Sequence, residues 1–173
     1  MSIEDLTAAI RDIPDFPKPG IVFKDITPVL TDPKLFAQAV DLFADRHKDT
    51  GLDKIAIIEA RGFVFGSALA YKMGVGMVPV RKQGKLPADT VAATYDLEYG
   101  TATIEVHRDS IAKGERVLLI DDLLATGGTA AAAAGLVEQL GGEVVEIDFL
   151  IELAFLNGRE KLKGHEIFAP IVF

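Results

Sequence analysis

The segment "RVLLIDDLLATGGTAAAAA", Arg116 to Ala134, holds the residues with the clearest chemical purpose. Four apolar residues, Val117 to Ile120, run into two adjacent carboxylates, Asp121 and Asp122. The small-residue turn Ala125-Thr126-Gly127-Gly128-Thr129 follows. A parallel strand ends at the rim of its sheet, where ligands bind. Gly127 and Gly128 lack side chains and let the backbone approach a ligand closely. At a helix start, the N–H groups of Ala125 to Thr129 form a phosphate cradle, and the Thr126 and Thr129 hydroxyls add donors. The carboxylates would repel that phosphate at contact. They suit the other end of a phosphorylated sugar, where they accept hydrogen bonds from vicinal ribose hydroxyls. Their hard oxygens also suit a hydrated Mg²⁺. The plain alternative is a strand, an N-capping aspartate and a glycine turn with no ligand. Adjacent acids, Thr-Gly-Gly-Thr and a strand–helix context together favour the ligand. No lysine follows Gly128, so this is not the P-loop pattern, and no Gly-x-Gly-x-x-Gly follows the first strand.

A second cluster carries the opposite charge. "VRKQGKLP" places Arg81, Lys82 and Lys85 within five residues. Alone it reads as a solvated basic loop. The chain as a whole carries a net charge of −8. That balance argues against general nucleic-acid binding, which depends on neutralising phosphates, but it leaves room for a small polyanion at a local basic cluster.

These residues need a sheet to hold them. "DKIAIIEA", "VGMVPV", "ERVLLIDD" and "EVVEIDFLIEL" read as buried strands, and "EIFAPIVF" as a short final one. "RGFVFGSALAYKMG" and "GGTAAAAAGLVEQLGG" read as helices between them. This alternation predicts an α/β fold with a mostly parallel sheet flanked by helices. "PKLFAQAVDLFADRHK" is an amphipathic helix with Asp32 as cap and Pro33 in its first turn. Met1 to Ile13 has helical spacing, and the proline-rich "DFPKPGIVFKDITPVLTDP" reads as an ordered loop region. Residues 83–108 break the alternation. Their period is nearer two, which predicts an antiparallel flap inserted into the parallel sheet.

At 173 residues with 49% apolar content, the chain reads as one globular domain, residues 1–173. No apolar run reaches the roughly 18 residues of a membrane span, and no secretory signal pattern opens the chain. The absence of cysteine excludes disulfides and thiolate chemistry and fits a reducing, cytoplasmic setting.

"VLLIDDLLATGGT" resembles the phosphoribosyl-pyrophosphate signature of type I phosphoribosyltransferases. "DFPKPGIVFKDITPVL", "EARGFVFG", "RKQGKLP" and "YDLEYG", in that order, resemble the adenine phosphoribosyltransferases among them. The resemblance implies transfer of a 5-phosphoribosyl group from phosphoribosyl pyrophosphate to adenine, giving AMP and pyrophosphate with Mg²⁺. It implies an N-terminal hood over about residues 1–32 and a homodimer. It assigns Asp121 and Asp122 to the ribose hydroxyls and Ala125, Thr126, Gly127, Gly128 and Thr129 to the 5′-phosphate. Glu59 and Ala60 become a strained or cis turn, and Arg61, Arg81 and Lys85 lie near the pyrophosphate. Phe23 would stack on adenine, while the backbone of Val22 and Lys24 reads its edge. Glu98 would manage the proton at the base, and Tyr99 would close over the site. No residue is implied as a direct metal ligand. Mg²⁺ would be held mainly by phosphoribosyl pyrophosphate, with a path through water to Asp121 or Asp122.

Three alternatives compete. One is a transferase for hypoxanthine, guanine or xanthine. Another is a non-catalytic phosphoribosyl-pyrophosphate sensor, which would favour an appended basic domain. The third is a plain phosphosugar-binding or phosphatase-like domain, which leaves "RKQGKLP" and the flap without a purpose. His47, His107 and His165 have no ligand or triad partners close in sequence and read as surface or packing residues. Residues 154–173 carry no chemical signal.

Overall fold

The computed structural model describes residues 2–96 and 100–173. Its elements run α1 (Ile3–Ala9), β1 (Arg11–Pro14), β2 (Val22–Asp25), α2 (Thr27–Thr31), α3 (Pro33–His47), β3 (Lys54–Ile58), α4 (Gly62–Met73), β4 (Gly76–Lys82), β5 (Thr90–Asp96), β6 (Thr101–His107), β7 (Arg116–Leu124), α5 (Gly128–Gln139), β8 (Glu143–Glu152), β9 (Ile167–Phe168) and β10 (Ile171–Val172). Two 3-10 turns, Ala154–Leu156 and Gly158–Leu162, lie between β8 and β9.

The main sheet has the order β10-β8-β7-β3-β4-β6-β5, with β9 also on β8. Pairing is parallel from β10 through β4 and antiparallel for β4–β6 and β6–β5. The inserted flap is therefore β5 and β6, and β4 runs directly into it through Arg81↔Glu105. The turn before β5 is fixed from within the flap: the backbone N–H groups of Gly84, Lys85 and Leu86 all donate to the buried Glu105 carboxylate.

Period two along the strands divides the core. Ala56, Ile58, Val117 and Leu119 face α5, whereas Ile55, Ile57, Leu118 and Ile120 face α3 and α4. Small residues bring the helices close. A β-carbon on Gly66 of α4 would lie 2.7 Å from the Ile57 side chain and 2.9 Å from Ile120. The alanine run of α5 has the same use, burying Ala130, Ala133 and Ala134 on the sheet. Asp32 caps α3, accepting from the Lys34 and Leu35 N–H groups at 2.8 and 3.1 Å.

The N-terminal segment is more regular than its prolines suggest. The helix stops at Ala9, and Ile10 turns extended. The region read as loop contains β2 and the five-residue α2, and β2 pairs antiparallel with β1. Cross-strand ion pairs Arg11–Asp25 and Lys24–Asp12, both 2.6 Å, hold this small sheet. Strands of four residues are too short for periodicity to show in the sequence. The final "EIFAPIVF" splits into two short strands, β9 and β10, on β8.

Candidate active site

β3 lies between β4 and β7, so the chain leaves it in one direction and returns on its other side. That reversal opens a crevice at the strand ends, where open α/β sheets bind ligands. The pairing of β3 with β7 ends at Ile57↔Ile120. Asp121 and Asp122, still within β7, thus project past β3 into the crevice. On the other side, β3 gives way to Glu59–Ala60, joined by a cis peptide bond, and then to Arg61 and α4.

These two sides meet. Arg61 Nε lies 2.7 Å from Asp122 Oδ2. The pair is close but off the donor axis, so the buried Oδ2 has no hydrogen bond among the described residues. Asp121 Oδ1 accepts the Asp122 N–H at 2.8 Å. A β-carbon on Gly62 would press to 3.0 Å on Asp121 Oδ1, so glycine there makes room for the carboxylate. Burial and then the Asp122 charge push the Asp121 carboxyl well above the ordinary 3.8. Burial also raises Asp122, but the Arg61 guanidinium pulls it back.

A pocket of about 80 Å³ joins Asp121 to Ala125, Thr126, Gly127, Gly128 and Thr129. Asp121 and the small-residue turn therefore line one cavity. Gly127 adopts φ +78° as the residue before α5, a left-handed conformation suited to glycine. The first N–H groups of the twelve-residue α5 then open toward the turn.

The hood reaches the same crevice. The Arg61 guanidinium sits 5.1 Å from the Phe23 ring centroid, and Phe16 packs edge-on against Phe23 at 5.2 Å. Val22 is exposed beside it. The Lys24 side chain points elsewhere, to Asp12 and over the Phe173 ring at 3.7 Å. The Lys24 side chain is thus engaged within the N-terminal sheet and at the C-terminus.

Arg81 Nε lies 3.0 Å from Glu59 Oε2, and the Lys82 N–H donates to the same oxygen at 2.9 Å. Burial works to raise Glu59, but these donors outweigh it and hold its carboxyl below the ordinary 4.5. The strand end thus fixes Arg81 beside the cis turn. The exposed Lys85 is tied to Arg81 only through its carbonyl, 3.5 Å from Arg81 Nη1. Glu98 and Tyr99 lie outside the described residues.

Two contributors carried too little signal in the sequence. Tyr95, at the end of β5, accepts a hydrogen bond from the Thr129 hydroxyl at 2.9 Å and so joins the flap base to the phosphate turn. Gly158 packs its backbone against Gly127. Tyr95 stood within the motif "YDLEYG", whereas Gly158 shows only as an Asn-Gly turn pair. Of the histidines, His47 is buried, with Nε2 2.8 Å from Asp148 Oδ2. His107 bonds the Pro87 carbonyl at 2.6 Å, and His165 sits 3.8 Å from Glu138. Among the described residues, the one group of three His or carboxylate residues with converging ligand atoms is His47, Glu146 and Asp148, on α3 and β8.

The chain matches the phosphoribosyl transferase domain family over residues 26–166. The adenine phosphoribosyltransferase of Solibacter usitatus is 57% identical over 169 residues, covering 98% of each chain. The crystal structure of adenine phosphoribosyltransferase from Thermoanaerobacter pseudethanolicus superposes with a TM-score of 0.96 at 55% identity, over 99% of this chain and 100% of that one. Adenine phosphoribosyltransferase from Saccharomyces cerevisiae, complexed with adenine and an imino-altritol bisphosphate, superposes with a TM-score of 0.93 at 42% identity, over 98% of both. With Asp121 and the Ala125–Thr129 turn lining one cavity, the chain belongs to the phosphoribosyl transferase family and, within it, to the adenine phosphoribosyltransferases.

Proposed function

We infer that the chain transfers the 5-phosphoribosyl group of phosphoribosyl pyrophosphate to adenine, giving AMP and pyrophosphate in purine salvage. The observation that carries this reading is the single cavity shared by Asp121 and the Ala125–Thr129 turn. It sets an acid and an N–H-rich turn at one cavity, which suits the hydroxyl and phosphate ends of a ribose 5-phosphate.

In this reading the 5′-phosphate takes the N–H groups and hydroxyls of Ala125 to Thr129. Asp121 and Asp122 accept from the ribose hydroxyls. Arg61, Arg81 and Lys85 face the pyrophosphate, and Glu59-Ala60 shapes the turn that presents it. Phe23 stacks on adenine, with the backbone of Val22 and Lys24 at its edge. The base nitrogen forms a bond to the anomeric carbon as the bond to pyrophosphate oxygen breaks, and the base loses its proton. Positive charge builds on the sugar, so the two carboxylates favour that state electrostatically. Glu98 receives the proton, and Tyr99 on the closing flap excludes water that would otherwise hydrolyse the sugar.

The acidic pair fits Mg²⁺ in donor chemistry, since its oxygens are hard and Asp122 Oδ2 has no hydrogen bond among the described residues. Arg61 already places a cation 2.7 Å from that oxygen. In this reading Asp121 or Asp122 would hold Mg²⁺ through water, with phosphoribosyl pyrophosphate supplying most of its ligands. When bound, it neutralises pyrophosphate charge. Residues 1–173 act as one unit, with the hood over about 1–32 and the flap over 83–108. The working form is a cytoplasmic homodimer. Among the described residues, no helix is long and apolar enough to cross a membrane.

The test is a base panel with Mg²⁺ and phosphoribosyl pyrophosphate, following mononucleotide formation from adenine, hypoxanthine, guanine and xanthine. Rapid AMP formation from adenine alone is expected. Turnover of another base would keep the ribose-phosphate cavity and overturn the hood assignment. Binding of phosphoribosyl pyrophosphate without turnover of any base would point to a sensor.

A further inference from the structure

We propose that Gly158, in the turn after β8, is a positioning residue for the 5′-phosphate cradle. This rests on the reading of Ala125–Thr129 given above.

The argument starts from close backbone approach. A β-carbon on Gly127 would collide with the Gly158 carbonyl oxygen, and one on Gly158 would collide with the Ala125 carbonyl oxygen. The two glycines thus let two backbones touch, with each side chain forbidden by the other strand of chain. The contact spans the middle of the cradle, from Ala125 to Gly127. Gly158 is buried although it sits in a surface turn. It also presses on Leu124, where a β-carbon would come within 2.8 Å of Cδ1.

The turn that carries Gly158 is itself anchored. Asn157 takes a left-handed conformation, φ 52°. Arg159 forks onto Glu152 at the end of β8, donating from Nε at 2.9 Å and from Nη2 at 2.7 Å. Leu162 is buried in the core that also holds Leu124. The Leu153 N–H donates to the Leu124 carbonyl at 2.9 Å, so the chain entering the turn is fixed to the end of β7. The cradle therefore has a rigid wall behind it. On its other side, Thr129 bonds Tyr95. A phosphate cradle works through N–H groups held in place before the ligand arrives. Gly158 supplies that constraint without touching substrate.

The proposal predicts a substrate-selective effect. Gly158→Ala forces the cradle backbone outward. The KM for phosphoribosyl pyrophosphate should rise tenfold or more, while the KM for adenine stays within twofold. Affinity for ribose 5-phosphate, read by calorimetry without catalysis, should fall in parallel. A folded Gly158→Ala protein with unchanged ribose 5-phosphate affinity overturns the proposal, as does an equal rise in both KM values. Where Gly158→Ala does not accumulate folded, Arg159→Ala frees the same turn and should raise the phosphoribosyl pyrophosphate KM several-fold, with partial rescue by Arg159→Lys. An unchanged KM in Arg159→Ala also overturns it. Wild-type protein that binds ribose 5-phosphate but forms no AMP defeats the functional reading alone, and the calorimetric comparison still decides the role of Gly158.

Discussion

Arg61 and Asp122 meet at 2.7 Å across the crevice between β3 and β7, joining the loop after one strand to the end of its neighbour. The Asp122 carboxylate is buried, and Arg61 is the cation that lowers its pKa against the cost of burial. Arg61→Ala therefore leaves a buried charge without its partner. The loss of kcat/KM for phosphoribosyl pyrophosphate should be about 100-fold, the scale of removing one preorganised electrostatic contact. The sign of the pH effect is fixed as well. Without Arg61 the Asp122 pKa moves up, so the acid limb of the kcat/KM profile moves to higher pH. An acid limb that stays in place would show that this pair does not control the profile.

Tyr95 and Thr129 make the corresponding contact between flap and cradle, 2.9 Å between hydroxyl oxygens. Tyr95→Phe removes one acceptor and leaves the ring, which packs beside Gly128, in place. A single hydrogen bond of this kind is worth about 1 kcal/mol, or roughly a fivefold effect. The expected result is a rise of that size in the KM for phosphoribosyl pyrophosphate, with thermal stability close to wild type. Steady-state kinetics beside a melting curve separates this from general loosening of β5.

The residues legible in the sequence were those whose chemistry is local. Asp121, Asp122 and the turn from Ala125 to Thr129 are contiguous, and the strand and helix that carry them have strong apolar patterns. The sheet's alternation was readable for the same reason. The β1–β2 pair was not, because ion pairs between residues more than ten apart hold strands of only four residues. Gly158 was hidden for a related reason. Its importance lies in a backbone contact with Gly127, thirty-one positions away in number, and glycine gives no chemical signal of its own. Lys24 shows the converse. The motif flagged the residue, but only the structure directs its side chain to Asp12 and Phe173 and away from the crevice.

Gly66 tests the packing that places Arg61. It lies one turn along α4, where an added methyl would sit 2.7–2.9 Å from Ile57 and Ile120. Both residues are fully buried and cannot move aside freely. Gly66→Ala should therefore destabilise the protein by about 1–3 kcal/mol through overpacking, against the small gain in helix propensity. Chemical denaturation should show a lower midpoint with an unchanged slope. Equal or greater stability would mean that α4 lifts from the sheet without strain.

The buried pair behind the sheet predicts a pH dependence of stability. Asp148 is fully buried, and its Oδ1 has no hydrogen-bond partner among the described residues. Burial raises its pKa from 3.8 to about 6, although His47 hydrogen-bonds to it and opposes the shift. Arg46, paired with Glu146 on the same side, adds a weaker opposing pull, while the Glu146 charge adds to the rise. Between these two pH values the folded protein holds a proton that the unfolded chain releases. The native state binds more protons there, so this group's contribution to stability is greatest below pH 4 and falls as pH rises toward and past 6. At 1.36 kcal/mol per pH unit, the full change is on the order of 3 kcal/mol. Asp148→Asn keeps an acceptor for His47 and removes the titration. The stability difference between wild type and variant, measured by denaturation from pH 4 to pH 7.5, should shift by that amount against the wild type as pH rises. A difference that stays flat across this range would show that the Asp148 carboxyl keeps an ordinary pKa in the fold.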